Sequence, residues 1–121
     1  MRNLVTGGAG FIGTNLINQL MKSGEDVICL DNLQTGSLSN LSYWLNNPKF
    51  NFINENIENP IVIDIDIDRI WHFACPASPL KYQIDPIATS KTIFIGTYNM
   101  LELARQKNAK FLFASSSEVY G

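Results

Sequence analysis

A glycine-rich turn near the N-terminus constrains the fold more than any other feature of the sequence. The segment VTGGAGFIG at 5–13 follows a short apolar run and precedes a stretch with helical spacing. Gly7, Gly10 and Gly13 have the spacing of a chain that reverses after a strand, approaches a pyrophosphate and packs a helix on a sheet. The first N–H groups of that helix would attract phosphate. The pattern predicts a dinucleotide-binding turn rather than a tight turn without a ligand.

An acidic residue at the end of the second predicted strand supports this interpretation. Asp31 stands 18 positions after Gly13. A carboxylate there can accept hydrogen bonds from both hydroxyls of an adenosine ribose, and it would repel the 2′-phosphate of NADP. The next residue, Asn32, carries no charge to compensate such a phosphate. The sequence therefore predicts NAD as the cofactor, against the alternative of a solvated carboxylate at the start of a loop.

Apolar runs of strand length alternate with segments of helical spacing. The predicted strands are 2–6, 26–30, 50–53, 69–74 and 110–114, and the predicted helices are 11–22, 37–46 and 87–106. The segment IVIDIDI at 61–67 alternates as a half-buried strand would, but we favour a connecting segment before the more apolar strand at 69–74. Ile93, Met100, Leu101 and Ala104 are expected to face the core. The order predicts an α/β fold, a doubly wound parallel sheet (Rossmann fold) with strands in the order 3-2-1-4-5.

Composition excludes several classes of partner. The net charge is −2 and 17% of residues are charged, so no basic surface favours nucleic acid, and no apolar run has the length of a membrane span. The N-terminus enters the first strand directly, so no signal peptide is expected. Cys29 and Cys75 are interpreted as reduced core residues of a cytoplasmic protein. The single histidine, His72, is expected to be a hydrogen-bonded core residue, and no metal site is expected.

Several motifs together resemble the extended short-chain dehydrogenases/reductases, in the sugar-nucleotide epimerase/dehydratase family. Besides the glycine turn and Asp31-Asn32, they are HFACPASP at 72–79, GTYNML at 96–101 and ASSSEVYG at 114–121. The similarity covers essentially all 121 residues. HFACPASP and ASSSEVYG together resemble the UDP-glucuronate decarboxylases more than their relatives. The resemblance implies NAD-dependent oxidation of UDP-glucuronate at C4, loss of CO2, and reduction to UDP-xylose.

The resemblance also assigns roles to residues. Ser116 would hydrogen-bond the C4 hydroxyl of the sugar, and Glu118 would act close to the sugar ring. Ser117 stands where 4,6-dehydratases carry an acidic Asp. The residues expected to bind the cofactor are Gly7, Gly10, Phe11, Ile12, Gly13, Asp31, Asn32, Thr35, Gly36, Asn56, Ile57, Phe73, Ala74 and Cys75.

Three features depart from the family pattern. Ile93 replaces an Asn of the long helix, and Asn56 replaces an Asp after the third strand. The family's Tyr-x-x-x-Lys pair, which supplies the base, does not occur in the 121 residues. We therefore expect residues 1–121 to be an incomplete NAD-binding Rossmann domain without the C-terminal substrate domain, inactive alone and dimeric in a full-length form. The alternatives are a nucleotide-sugar 4-epimerase or 4,6-dehydratase, and a non-catalytic NAD-binding fragment.

Overall fold

The computed structural model describes residues 1–76 and 78–121, and of Ser117 only the backbone. The five strands are β1 (Arg2–Thr6), β2 (Asp26–Asp31), β3 (Phe50–Asn54), β4 (Arg69–His72) and β5 (Lys110–Phe113). The α-helices are α1 (Phe11–Lys22), α2 (Pro79–Tyr82), α3 (Pro86–Lys91) and α4 (Thr97–Lys107). Short 3-10 helices cover Leu38–Leu41 and Ser117–Tyr120.

The strands form one parallel sheet in the order β3-β2-β1-β4-β5. This confirms the predicted doubly wound topology. In the register of the sheet, Thr6 of β1 lies opposite both Leu30 of β2 and His72 of β4. The three central strands therefore end at the same edge. The crevice for a ligand in such a sheet lies where the connections leave in opposite directions, here between β1 and β4.

Both faces of the sheet are covered, which explains why its central strands are apolar at successive positions. Leu4 faces a cluster that contains Ile70 and Met100 on the α4 side. Its neighbour Val5 faces a second cluster with Ile17 and Trp44 on the α1 side. β1 is therefore buried on both sides, and the glycine turn that follows it is held on a fixed base.

The segment at 61–67 is a connection without strand structure, as predicted. Ile63 and Ile67 insert into the core, whereas Ile65 is exposed like Asp64 and Asp66. The buried isoleucines of this loop pack in the cluster on the α4 side of the sheet.

The helix predicted at 37–46 is wrong, since only Leu38–Leu41 form a 3-10 turn. The segment is rich in Ser and Asn, whose side chains bond to nearby backbone and compete with a helix. The Ser37 hydroxyl accepts the N–H of Ser39 at 3.3 Å, and Asn40 donates its amide to the carbonyl of Ala9 at 2.9 Å. Leu41 still reaches the core.

The long helix predicted at 87–106 contains a π-helical segment, Thr92–Gly96, between α3 and α4. A π turn inserts one extra residue and rotates the helix face that precedes it. Ile93, expected in the core, is 47% exposed for this reason. Leu101 is also exposed, whereas Met100, Ala104 and the unpredicted Leu103 are buried. No helix in the described ranges has the length and apolar character needed to span a bilayer.

Three smaller predictions need correction. β4 ends at His72 instead of residue 74, because the N–H of Ala74 donates to the Thr6 hydroxyl of β1 and that of Phe73 is shared between the Thr6 hydroxyl and carbonyl. β5 ends at Phe113 instead of residue 114, and its Leu112 and Phe113 are about half exposed. Cys29 is buried as expected, but Cys75 is exposed and does not belong to the core.

Candidate functional site

The glycine turn adopts a conformation that only glycine allows at two positions. Gly7 has a φ of +68°, and a Cβ there would lie 2.9 Å from the backbone N of Ala74. A Cβ on Gly13 would overlap the carbonyl oxygen of Gly7. The first position holds the turn against the end of β4, and the second holds α1 against the turn.

Gly10 differs from the other two glycines because the backbone itself does not demand it. Its φ is −79°, and an added Cβ would meet only the Gly7 oxygen, at 3.3 Å. Gly10 is the N-cap of α1, no side chain in the described part caps this end, and the first turn contains no acidic residue. The N–H groups of Phe11, Ile12 and Gly13 have no partner inside the helix. The space in front of Gly10 and these N–H groups together fit a diphosphate.

Asp31 lies beside this turn and is only 7% exposed. One carboxylate oxygen accepts the N–H of Ala9 at 2.9 Å, and the other accepts the N–H of Leu33 at 2.7 Å. Two oxygens offer about four acceptor positions, so the carboxylate retains capacity for a ribose. Asp31 therefore also fixes the turn and the loop after β2, a second role that the sequence analysis missed.

The loop after β2 packs on the glycine turn through one carbonyl. The oxygen of Ala9 accepts the N–H of Ser37 at 3.2 Å and the amide of Asn40 at 2.9 Å. Gly36 lies directly against Ala9, and a Cβ there would come within 2.7 Å of that carbonyl. Thr35 and Asn32 are exposed on the same loop. Asn40, one helical turn after the predicted Gly36, is a further residue that shapes this site.

The loop after β3 is fastened to the long helix. Ile57 is 4% exposed and its side chain packs on Gly96, while its carbonyl accepts the amide of Asn99 at 2.9 Å. The side chain of Ile57, predicted to contact the cofactor, thus lies in the core. Asn56 is half-buried, and its amide oxygen accepts the N–H of Glu58 at 3.1 Å. The sequence does not predict this contact of Asn99, although the residue lies in the GTYNML motif.

The end of β4 lies against Gly7. The backbone N–H groups of Phe73 and Ala74 both donate to the hydroxyl of Thr6, each at 3.1 Å. Phe73 and Ala74 are half-buried and Cys75 is exposed. These three residues follow β4 at the end of the strand that borders the crevice between β1 and β4.

The single histidine is a core residue, as predicted. His72 is 3% exposed, and its ring nitrogens lie 2.8 Å from the Thr6 hydroxyl and 3.1 Å from the Thr97 hydroxyl. Burial lowers the pKa of His72 to about 4. Burial and, secondarily, Asp31 raise the pKa of the Cys29 thiol to about 12, so this thiol is unreactive.

Ser116 and Glu118 follow β5 and are exposed. The Ser116 hydroxyl accepts the N–H of Glu118 at 3.1 Å and caps the 3-10 helix Ser117–Tyr120. β5 is the parallel neighbour of β4, so both side chains emerge at the same sheet edge as the glycine turn. The side chain of Ser117 lies outside what the structure describes. Within residues 1–76 and 78–121, no three potential metal ligands are grouped.

Curated proteins with similar sequences cover the whole chain. UDP-glucuronic acid decarboxylase 4 of Arabidopsis thaliana is 47% identical over 121 residues, which are 100% of this chain and 27% of that protein. UDP-glucuronic acid decarboxylase 3 of the same plant is 48% identical over 100% of this chain and 35% of its own length. The chain thus spans about a quarter to a third of these relatives.

Solved structures share the fold. A dTDP-glucose 4,6-dehydratase from Streptomyces venezuelae with NAD bound has a TM-score of 0.90 and 30% identity, over 100% of this chain and 41% of that one. A UDP-galactose 4-epimerase has a TM-score of 0.85 and 35% identity, over 100% and 40%. The family model described as GDP-mannose 4,6 dehydratase matches residues 4–121. The chain therefore belongs to the GDP-mannose 4,6 dehydratase family, among the NAD-dependent epimerases and dehydratases.

Proposed function

We propose that the chain provides the NAD-binding part of a UDP-glucuronate decarboxylase. The observation that carries this proposal is the 47% identity to a UDP-glucuronic acid decarboxylase over the entire chain. The epimerase and dehydratase structures named above share 35% and 30%. By the resemblance, Ser117 stands where the 4,6-dehydratases carry an Asp, which also favours the decarboxylases.

Different residues of the chain would bind different parts of the cofactor. The N–H groups of Phe11, Ile12 and Gly13 would hold the diphosphate in front of Gly10, which leaves room for it. Asp31 would accept the adenosine ribose with the acceptor positions that Ala9 and Leu33 leave free. The end of β4 would lie along the nicotinamide half. Bound NAD would supply the reversible hydride acceptor for C4 of the sugar.

The residues after β5 would serve the sugar. Ser116 would orient the C4 hydroxyl, and Glu118 would act near the ring, where loss of CO2 from the C4 ketone leaves an enolate to be protonated. Removing the C4 hydroxyl proton needs a base of near-neutral pKa, and such a base contributes about 10²–10⁴-fold. The 121 residues contain no Tyr-x-x-x-Lys. We therefore expect them to release no measurable CO2 when they are tested alone.

The test joins this chain to the downstream part of the Arabidopsis decarboxylase, beginning after the position that matches Gly121. With NAD, the fusion should convert UDP-glucuronate to UDP-xylose and CO2, followed by mass spectrometry. Glu118→Gln should lower the rate, whereas Glu102→Gln, an exposed carboxylate on α4, should not. Turnover by the 121 residues alone contradicts the expected inactivity. A fusion that only epimerises UDP-glucose contradicts the decarboxylase assignment and favours the epimerases.

Location and assembly complete the proposal. The free Cys29 and Cys75 support a cytoplasmic location, testable by cell fractionation.

A homodimer of the full-length form is supported by exposed apolar side chains that recur along one stretch of helices, namely Leu80, Ile84, Ile87, Phe94 and Tyr98. Light scattering on the fusion should give a dimer mass, and Phe94→Glu should reduce that mass to the monomer.

A further inference from the structure

Two linked hydrogen bonds, one buried and one partly buried, connect three elements behind the crevice. They run from the hydroxyl of Thr6, at the end of β1, through both ring nitrogens of His72 on β4, to the hydroxyl of Thr97 at the start of α4. Thr6 is fully buried and His72 nearly so. None of these three residues is expected to touch the cofactor, so the function proposed above does not use these hydrogen bonds.

The positions of the protons follow from the number of bonds at Thr6. Its hydroxyl oxygen accepts the N–H of Ala74, and it shares the N–H of Phe73 with the Thr6 carbonyl. A hydroxyl has two acceptor positions and one proton. Among the described contacts of this hydroxyl, Nδ1 of His72, 2.8 Å away, is the acceptor for that proton. Nδ1 is then unprotonated and accepts this hydrogen bond. The neutral ring carries its proton on Nε2, and Nε2–H donates a hydrogen bond to the Thr97 hydroxyl at 3.1 Å.

The surroundings of the ring keep it neutral. The rings of Phe111 and Phe113 on β5 lie 5.8 and 5.9 Å from the imidazole centroid. Burial lowers the pKa of His72 to about 4, well below neutral pH. A protonated Nδ1 would also oppose the hydroxyl proton of Thr6. The neutral Nε2–H tautomer is thus the form that fits every neighbour.

The hydrogen bonds to the Thr6 hydroxyl hold the backbone of the two residues that follow β4. Phe73 and Ala74 lie beyond the last paired residue, His72, and their backbone is in contact with Gly7. The N–H of Ala74 has the Thr6 hydroxyl as its acceptor, and His72 orients that hydroxyl. The same two residues border the crevice at which the nicotinamide half would lie.

We propose that His72, as the neutral Nε2–H tautomer, is a positioning residue that orients the Thr6 hydroxyl and thereby sets the end of β4 for the dinucleotide. The proposal rests on NAD binding by this chain. It assigns the histidine of the HFACPASP segment to the shape of the cofactor site, with no part in proton transfer.

NAD+ affinity tests the positioning role. All proteins, including the one called unmodified below, carry Leu112→Lys, which is expected to reduce pairing of the outer strand β5 with other chains. Thr6→Val removes the hydroxyl at nearly constant volume and should raise the Kd for NAD+ about tenfold, whereas Thr6→Ser should restore it. Thr97→Val and Thr97→Ser form a second pair, at the Nε2 side of His72. We expect Thr97→Val to raise the Kd for NAD+ and Thr97→Ser to restore it. A merely structural role would lower the melting temperature without changing the Kd of the folded protein.

The tautomer is read separately by NMR, because the chain has one histidine. With ¹⁵N-labelled histidine at pH 7, one-bond proton coupling should appear at Nε2 and not at Nδ1, with or without NAD+. A proton on Nδ1, or on both nitrogens, overturns the proposal. Equal NAD+ affinity of the unmodified, Thr6→Val and Thr97→Val proteins also overturns it. If the unmodified protein binds no NAD+, the proposed function fails, whatever the tautomer.

Discussion

Asp31 shows how one side chain can serve both the fold and a ligand. Its two oxygens hold the glycine turn and the loop after β2 through the N–H groups of Ala9 and Leu33. The sequence predicted the carboxylate at the right place, because a βαβ unit with this glycine pattern ends its second strand there. Its bonds to backbone could not be predicted, since they depend on how the loop after β2 folds back. The hydrogen bonds of the Thr6 and Asn40 side chains to backbone groups could not be predicted either, since they also depend on how the segments after the strands fold.

At this position we expect a change in cofactor preference. The unmodified chain should bind NAD+ more tightly than NADP+, because the carboxylate would repel the 2′-phosphate. Asp31→Asn removes the charge while it keeps one acceptor oxygen, so the ratio of the two affinities should narrow. Calorimetric titrations of both cofactors measure it, with Asp26→Asn at the other end of β2 as the control. Equal affinities in the unmodified chain would contradict the role of Asp31.

His72 should make the free energy of unfolding depend on pH. Its pKa is about 4 in the folded chain, below the ordinary value of 6.5, so only the unfolded chain takes up the proton between these values. The stabilisation is complete above pH 6.5 and is lost as the pH falls toward 4, by up to about 1.4 kcal/mol per pH unit. Urea unfolding at several pH values measures this slope. In His72→Gln the slope should be smaller, and an unchanged slope would refute the assignment.

At the scale of elements, periodicity was informative wherever packing is simple. β1 and α1 begin and end at the predicted residues, because an apolar strand, a glycine turn and an amphipathic helix leave little choice. Prediction failed where side chains compete with the backbone, as in the Ser- and Asn-rich segment around Leu38–Leu41. Prediction of the buried face also failed at Thr92–Gly96, where the helix is a π-helix. A search for a fixed 3.6-residue repeat does not detect the one extra residue of a π turn.

The outer strand of the sheet should govern the solution behaviour of the 121 residues. β5 has β4 on one side, and its Leu112 and Phe113 are about half exposed. Unpaired strands of this kind add strands from other molecules. We expect the 121-residue polypeptide to associate at micromolar concentration and Leu112→Lys to reduce the association. Analytical ultracentrifugation compares the two, and a stable monomer of the unmodified polypeptide would disprove this expectation.

At the scale of the whole molecule, the predicted site residues come from separate elements and meet at one edge. The carboxyl ends of β1, β2 and β4 are in register, so the glycine turn, Asp31 and Phe73–Ala74 surround one crevice. Strand order and direction alone make this convergence predictable. The pairing of loops with helices, such as Ile57 on Gly96, required the structure.

Titration of the chain with NAD+ measures directly whether the glycine turn belongs to a cofactor site. We expect saturable binding of one NAD+ per chain. Gly10→Val should abolish binding while the far-ultraviolet circular dichroism is retained, because a Cβ at Gly10 would meet only the Gly7 oxygen, at 3.3 Å, but would stand where the diphosphate approaches. Gly10→Ala, with a smaller side chain, should bind more weakly than the unmodified chain. No binding by the unmodified chain, or equal binding by Gly10→Val, would contradict NAD binding at the glycine turn.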